Sequence, residues 1–312
     1  MMQGFRASPA FSLVVLVSLA LAGIFGLMVA LMNVQPGFMG MSHFSEAHHR
    51  VHDLTFGFLL GTGVVGMLAQ VRRPAQNGTA QLMALTPFAG LVVVAALTNV
   101  AVLQIPWVAL GACTFLAATL HPSRGDLFRS FSRSRPSRAM LALVAIAAGP
   151  LLALGFTNIV LQRTDPSEHA AGGHYGFLAA LSLTVIGVAL LASLRLGGWR
   201  IAAWVAGCLP ALLGLASLLF PDASSSLEPV WALAAIAWGA AFIWVAELSW
   251  QRSREAEPSG GVTSTQVTDG ARAQPWAYVP GVIVVVLILL FAVMHLSGGG
   301  GPGLHTPPAG GH

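Results

Sequence analysis

Charge is what this chain has least of. Only 8% of its 312 residues are Asp, Glu, Lys or Arg, about a third of the roughly 25% usual in soluble domains. With 55% apolar residues, a soluble fold of this length could not cover its own apolar surface, so the composition belongs to the bilayer class. Lysine is missing altogether, and all fifteen basic residues are arginine. That bias, with abundant Ala, Gly, Leu and Val, suggests a GC-rich bacterial genome. The net charge of +4 comes from these few arginines and makes no nucleic-acid footprint; lipid is the partner it fits. The sequence identifies no protein partner in the membrane or outside it.

Cysteine is nearly missing as well. Cys113 and Cys208 each sit inside an apolar run with no CxxC pair, which argues against a disulfide framework or a thiolate metal site. HExxH, GxSxG and phosphate-loop signatures are all absent, so no specific hydrolytic or phosphoryl chemistry is indicated. No Asp, Glu or Arg falls near the middle of any long apolar run. A proton or ion relay through the membrane centre normally needs such a residue.

What is present is a series of apolar runs near the roughly 20 residues that span a bilayer. The pattern predicts helices near 11–34, 52–71, 82–104, 106–121, 139–161, 174–196, 199–220, 229–250 and 278–297. The fold class expected is therefore all-α integral membrane with about nine transmembrane helices. A short-range self-similarity organises them. Ser45-Glu46 recurs as Ser167-Glu168, His52 as His174 and Arg73 as Arg195, all 122 residues apart. The expected organisation is two tandem four-helix repeats plus a C-terminal helix. Residues 1–121 form the first repeat, 122–138 an Arg-rich cytoplasmic loop, and 139–250 the second repeat. Residues 251–277 are a flexible cytoplasmic linker, 278–297 the ninth helix, and 298–312 a flexible extracytoplasmic tail.

With the N-terminus inside, nine spans place thirteen of the fifteen arginines on the cytoplasmic side, leaving Arg50 and Arg163 outside. This satisfies the positive-inside rule. The same alternation puts nine of the ten histidines at the extracytoplasmic face and only His121 at the inner one.

Four of those histidines crowd the stretch Ser42 to Asp53, SHFSEAHHRVHD. On a helix, Glu46, His49 and Asp53 share one face and His48 and His52 an adjacent one. In the second half Asp165, Glu168, His169 and His174 offer the same residue types, with Gly172-Gly173 interrupting any continuous helix. The candidate metal ligands are Glu46, His48, His49, His52, Asp53, Glu168, His169 and His174, with the pairs Glu46/His52 and Glu168/His174 common to both halves. Imidazole with carboxylate suits zinc, and nearby methionines (Met39, Met41 and Met294) suit copper. The expected function is binding or handling of copper or zinc at this extracytoplasmic cluster. A metal-dependent membrane enzyme, hydrolase or oxidoreductase, is the alternative. Behind it stands haem electron transfer, with His52 and His174 as axial ligands.

The topology carries a direct test. A reporter fused after His312 should be active outside the cytoplasm, and a cytoplasmic signal would overturn both the nine-span count and the placement of the histidines.

Overall fold

The structure is a computed structural model that describes residues 8–34, 50–98, 104–129, 136–223 and 225–255. Among these residues it is entirely helical. In order, the helices are α1 (Pro9–Val34), α2 (Arg50–Leu68), α3 (Gly78–Thr98), α4 (Ile105–Leu120), α5 (Arg124–Arg129), α6 (Arg138–Thr164), α7 (Glu168–Ala171), α8 (His174–Ser193), α9 (Trp199–Leu219) and α10 (Pro229–Glu255). Eight of the nine expected helices therefore appear, their starts within about four residues of the predicted positions. The ninth, at 278–297, lies outside the described residues. Seven helices are long and apolar enough to cross a membrane, and α4 is apolar but shorter.

Burial separates an inner group from an outer one. Most of α2, α8 and α9 is enclosed by protein, whereas α1, α6 and α10 expose most of their length. The exposed residues are large and apolar, such as Leu13, Ile24, Ile146, Phe156, Val230 and Trp244. A face this apolar is stable against lipid and not against water.

Helices α1, α2, α3 and α4 pack in a closed ring, and α6, α8, α9 and α10 pack in a second ring with the same order of neighbours. The rings join through α2 and α3 of the first against α8 and α9 of the second. Where helices must approach closely, glycine sits at the crossing. A methyl group placed on Gly66 would lie 2.5 Å from the Ala80 carbonyl oxygen, and one on Gly207 would lie 2.6 Å from that of Gly239. Gly214 faces the backbone of Ala232 in the same α9–α10 seam. Small residues let backbones touch and gain dispersion contacts that lipid cannot replace.

The arginine-bearing end is stitched by polar contacts. Arg200 donates through Nε and Nη2 to Glu247 at 2.7 and 2.5 Å, and the Trp204 indole donates to the same carboxylate at 2.8 Å. By sequence alone, Glu247 lies close enough to the inner helix end to reach Arg252, five residues on, or water. The α9–α10 packing supplies Arg200 instead, in the bidentate geometry that guanidinium and carboxylate prefer. Arg195 reaches Ser253 and the Ser249 carbonyl of α10. The Thr79 amide donates to Gly197, tying the two rings together at this end, and the Ser137 amide donates to Ser193 within the second ring, joining α6 to α8.

The glycine seams can be weighed against exposed glycine. Gly207→Ala should destabilise the protein in detergent by about 1–3 kcal/mol, the usual cost of overpacking. Gly149→Ala, where an added methyl meets nothing within 4 Å, should be neutral or stabilise by about 0.5–1 kcal/mol. Thermal melts of the two variants beside wild type would check the contrast; equal shifts would show that the α9–α10 contact is looser than described.

Candidate metal centre

The end of the bundle opposite Arg195 and Arg200 gathers the first residues of α2, α8 and α10. α2 and α8 run in the same direction and pack against each other, so His52, third residue of α2, and His174, first residue of α8, meet there. Their ring centroids are 5.1 Å apart. His169, from the single turn α7, completes a triangle at 5.3 Å from His52 and 5.7 Å from His174. One ring nitrogen from each lies within 4.8 Å of the others. His52 and His174 are buried at 2% and 8% exposure, and His169 is half-buried.

Local chemistry fixes this arrangement. α6 ends at Thr164, and Asp165 turns the chain: its Oδ1 accepts from the Ser167 amide at 2.9 Å and its Oδ2 from the Tyr175 hydroxyl at 2.7 Å. Gln162, buried in the last turn of α6, donates to the Ala170 carbonyl and accepts from the Gly176 amide at 2.8 Å. One side chain therefore holds both α7 and the start of α8. Between them Gly173 adopts φ 79°, a left-handed conformation that costs glycine nothing and lets α8 start in a new direction. The Tyr175 hydrogen bond, first, and those from Ser167 hold the Asp165 carboxyl below its usual range. Asp165 is thus an anion near His169, which favours a cation at this end.

The loop before α10 closes the other side. The Ser225 hydroxyl lies 2.8 Å from Nδ1 and 2.9 Å from Nε2 of His52, so it can serve either nitrogen and leave the other to a metal. Below the histidines an aromatic floor seals the site from the bundle centre. Phe56, one turn beyond His52, packs on Trp107 at 4.8 Å and on Phe177 at 5.5 Å, and Phe177 stands one turn beyond His174.

Of the expected ligands, His52, His169 and His174 converge. Asp53 lies beside His52 in the chain, buried at 5%, but it projects from the next face of α2 and is not one of the three converging groups. Its Oδ2 has no hydrogen-bond partner among the described residues. Glu168 opens α7, and its side chain lies outside what is described. Glu46, His48 and His49 also lie outside the described residues. Sequence reasoning missed Gln162, Tyr175 and Ser225. Only Ser225 left a signal, since the alternating topology put its loop at the same end as the histidines.

His121 is a different kind of histidine. Just beyond α4, at the arginine end, its Nε2 donates toward Gln70 Oε1 at 3.2 Å and the Pro74 carbonyl at 3.1 Å, while Nδ1 accepts from the Ser123 amide at 3.1 Å. These partners are satisfied by the neutral ring. It is a structural pin with no role at the centre.

No protein-family model, curated protein or solved structure matches the chain.

Burial lowers the pKa of His121, outweighing the Pro74 hydrogen bond. A depressed pKa means that the unfolded chain, with a value near 6.5, takes up its proton first as pH falls. Stability is therefore full above about pH 6.5 and declines on acidification through the folded-state pKa. The melting temperature of the wild type should drop between pH 7.5 and 5.5, and His121→Gln should flatten that part of the profile. An unchanged slope in the variant would remove His121 as its source.

Proposed function

We propose that this protein is a polytopic membrane protein that binds a transition metal, copper or zinc, through His52, His169 and His174. The observation that carries the reading is the convergence of three imidazoles from three separate segments at one end of an otherwise apolar bundle. Two of the three imidazoles are buried, and three neutral imidazoles share a divalent ion well. A His₃ set is a known ligand set for zinc and leaves a fourth position for water or another ligand. Bound ligand nitrogens sit about 2.0–2.1 Å from such an ion, so the present 4.8 Å limit requires only a small inward rotation of the rings.

Two further readings go with this one. The chain is two four-helix repeats plus a ninth span at 278–297; the equivalent order of packing in the two rings and the matched places of His52 and His174 support the duplication. The N-terminus is cytoplasmic and the histidine end faces outward in the cell membrane, as the arginine distribution supports.

Catalysis is the second reading. The open fourth position and the Tyr175 hydroxyl beside it, its ring centroid 5.8 Å from that of His52, suit a metal-bound water in a membrane enzyme. Haem is poorly accommodated. His52 and His174 are too close in centroid distance to face each other across an iron with about 2.0–2.1 Å bonds, and His169 occupies the flank where a macrocycle would lie.

Metal per chain, measured on protein purified after growth with copper or zinc, should approach one. His52→Ala, His169→Ala and His174→Ala should each lower affinity by more than the ~10–100-fold that loss of a supporting hydrogen bond costs a metal site. His121→Ala should leave the metal in place. A metal-free wild type, or equal loss from the His121 variant, would sink the proposal. Turnover that disappears with the metal would move the protein to the enzyme reading.

A further inference from the structure

One flank of the bundle does not close. In the second ring α6 packs on α8 and also on α3 across the ring boundary. Its counterpart α1 packs on α2 and α4, yet the space between it and α9 is left as an apolar crevice of about 400 Å³. The crevice follows α2 from Leu54 to Val65, about 16 Å along the helix axis. Its top is one turn from His52.

The walls are built from small residues. Gly57 and Gly61 of α2, and Gly23 of α1, line it, and a methyl group added to any of them would meet nothing within 4 Å. The small-residue strip of α2 is thus divided. Gly66 is filled by α3, whereas Gly57 and Gly61 form a GxxxG face with no helix against it among the described residues. Such a face in a membrane is a docking surface for another helix.

We propose that the occupant is the chain's own segment 278–297, seated in the crevice as an additional membrane helix. Residues 282–291 are without exception Val, Ile, Leu or Phe. A stretch with no small residue of its own, as 282–291 is, can approach a neighbour closely only where the neighbour supplies the glycines. The length and direction of the chain agree. α10 ends at Glu255 on the arginine side, where Arg195 contacts Ser249 and Ser253. The 22 residues 256–277 reach at most roughly 70 Å when extended, ample to pass from α10 around the neighbouring α9, which forms one wall of the crevice. Twenty residues of helix then cover about 30 Å and bring Met294-His295 to the histidine end. The docking does not depend on a metal being bound.

Cys208 lines the crevice and serves as a native reporter. In the full chain with Cys113→Ser, single cysteines placed in turn at 283 to 291 would be treated with a short bis-maleimide, and joined peptides identified by mass spectrometry. Pairing with Cys208 inside one chain, strongest at positions three to four apart, is the expected result. Gly57→Leu, which fills the crevice, should reduce that pairing at least several-fold while metal content stays unchanged. Joining only between two chains would assign the crevice to a second copy, and the proposal would fall. No joining at any position, with Cys208 alkylated by a bilayer-soluble maleimide, would assign it to lipid, with the same consequence. Loss of metal without loss of pairing would count against the metal centre alone.

Discussion

The metal centre depends on one packing contact, that of α2 against α8 with both helices running the same way. Two helices that start at the same end bring their first turns together, and the first turns carry His52 and His174. The parallel direction follows from counting. The four helices α2, α3, α4 and α6 stand between the start of α2 and the start of α8, and an even number of crossings returns the chain to the end from which it began. Three or five would have put the two histidines at opposite ends of the bundle.

That geometry has an electrostatic cost, and the sequence contains its offset. Each helix N-terminus carries roughly half a positive charge from its unpaired amides, so two adjacent N-termini repel the cation that three imidazoles would attract. An anionic side chain at the same end offsets this. Asp165 remains ionised beside α7 because Tyr175 and Ser167 donate to it. Asp165, which the sequence offers among residues of ligating type, sets the potential at this end without being one of the three converging groups. The aromatic floor of Phe56, Trp107 and Phe177 adds to this, since a low-dielectric layer under the site preserves the field of nearby charges.

The fold was legible because its signal is the simplest one a sequence holds. Runs of apolar residues bounded by Arg, Gly and Pro located eight helices, and the Gly172-Gly173 break was visible as an interruption before Gly173 could be seen in a left-handed turn. His52 and His174 were legible through the shared offset. What stayed hidden depends on helix rotation and on partners far along the chain. The separation of Asp53 from the histidines follows from which face of α2 meets α8. The pairing of Glu247 with Arg200 rather than Arg252 requires knowing that α9 lies against α10. Gln162 has no signature, because a buried amide that latches a loop looks in sequence like any polar residue near a helix end.

The histidine cluster is not twofold. A twofold arrangement supplies ligands in pairs, and a single open position in a four-coordinate ion needs three ligands. At the common offset of 122, His174 answers to His52 but His169 answers to Ala47. The second half therefore contributes two imidazoles and the first half one. The extra ligand comes from α7, the turn that the glycine break and the Gln162 latch make possible. The short connection that carries α7, and not the long helices, is what makes the cluster three imidazoles rather than two.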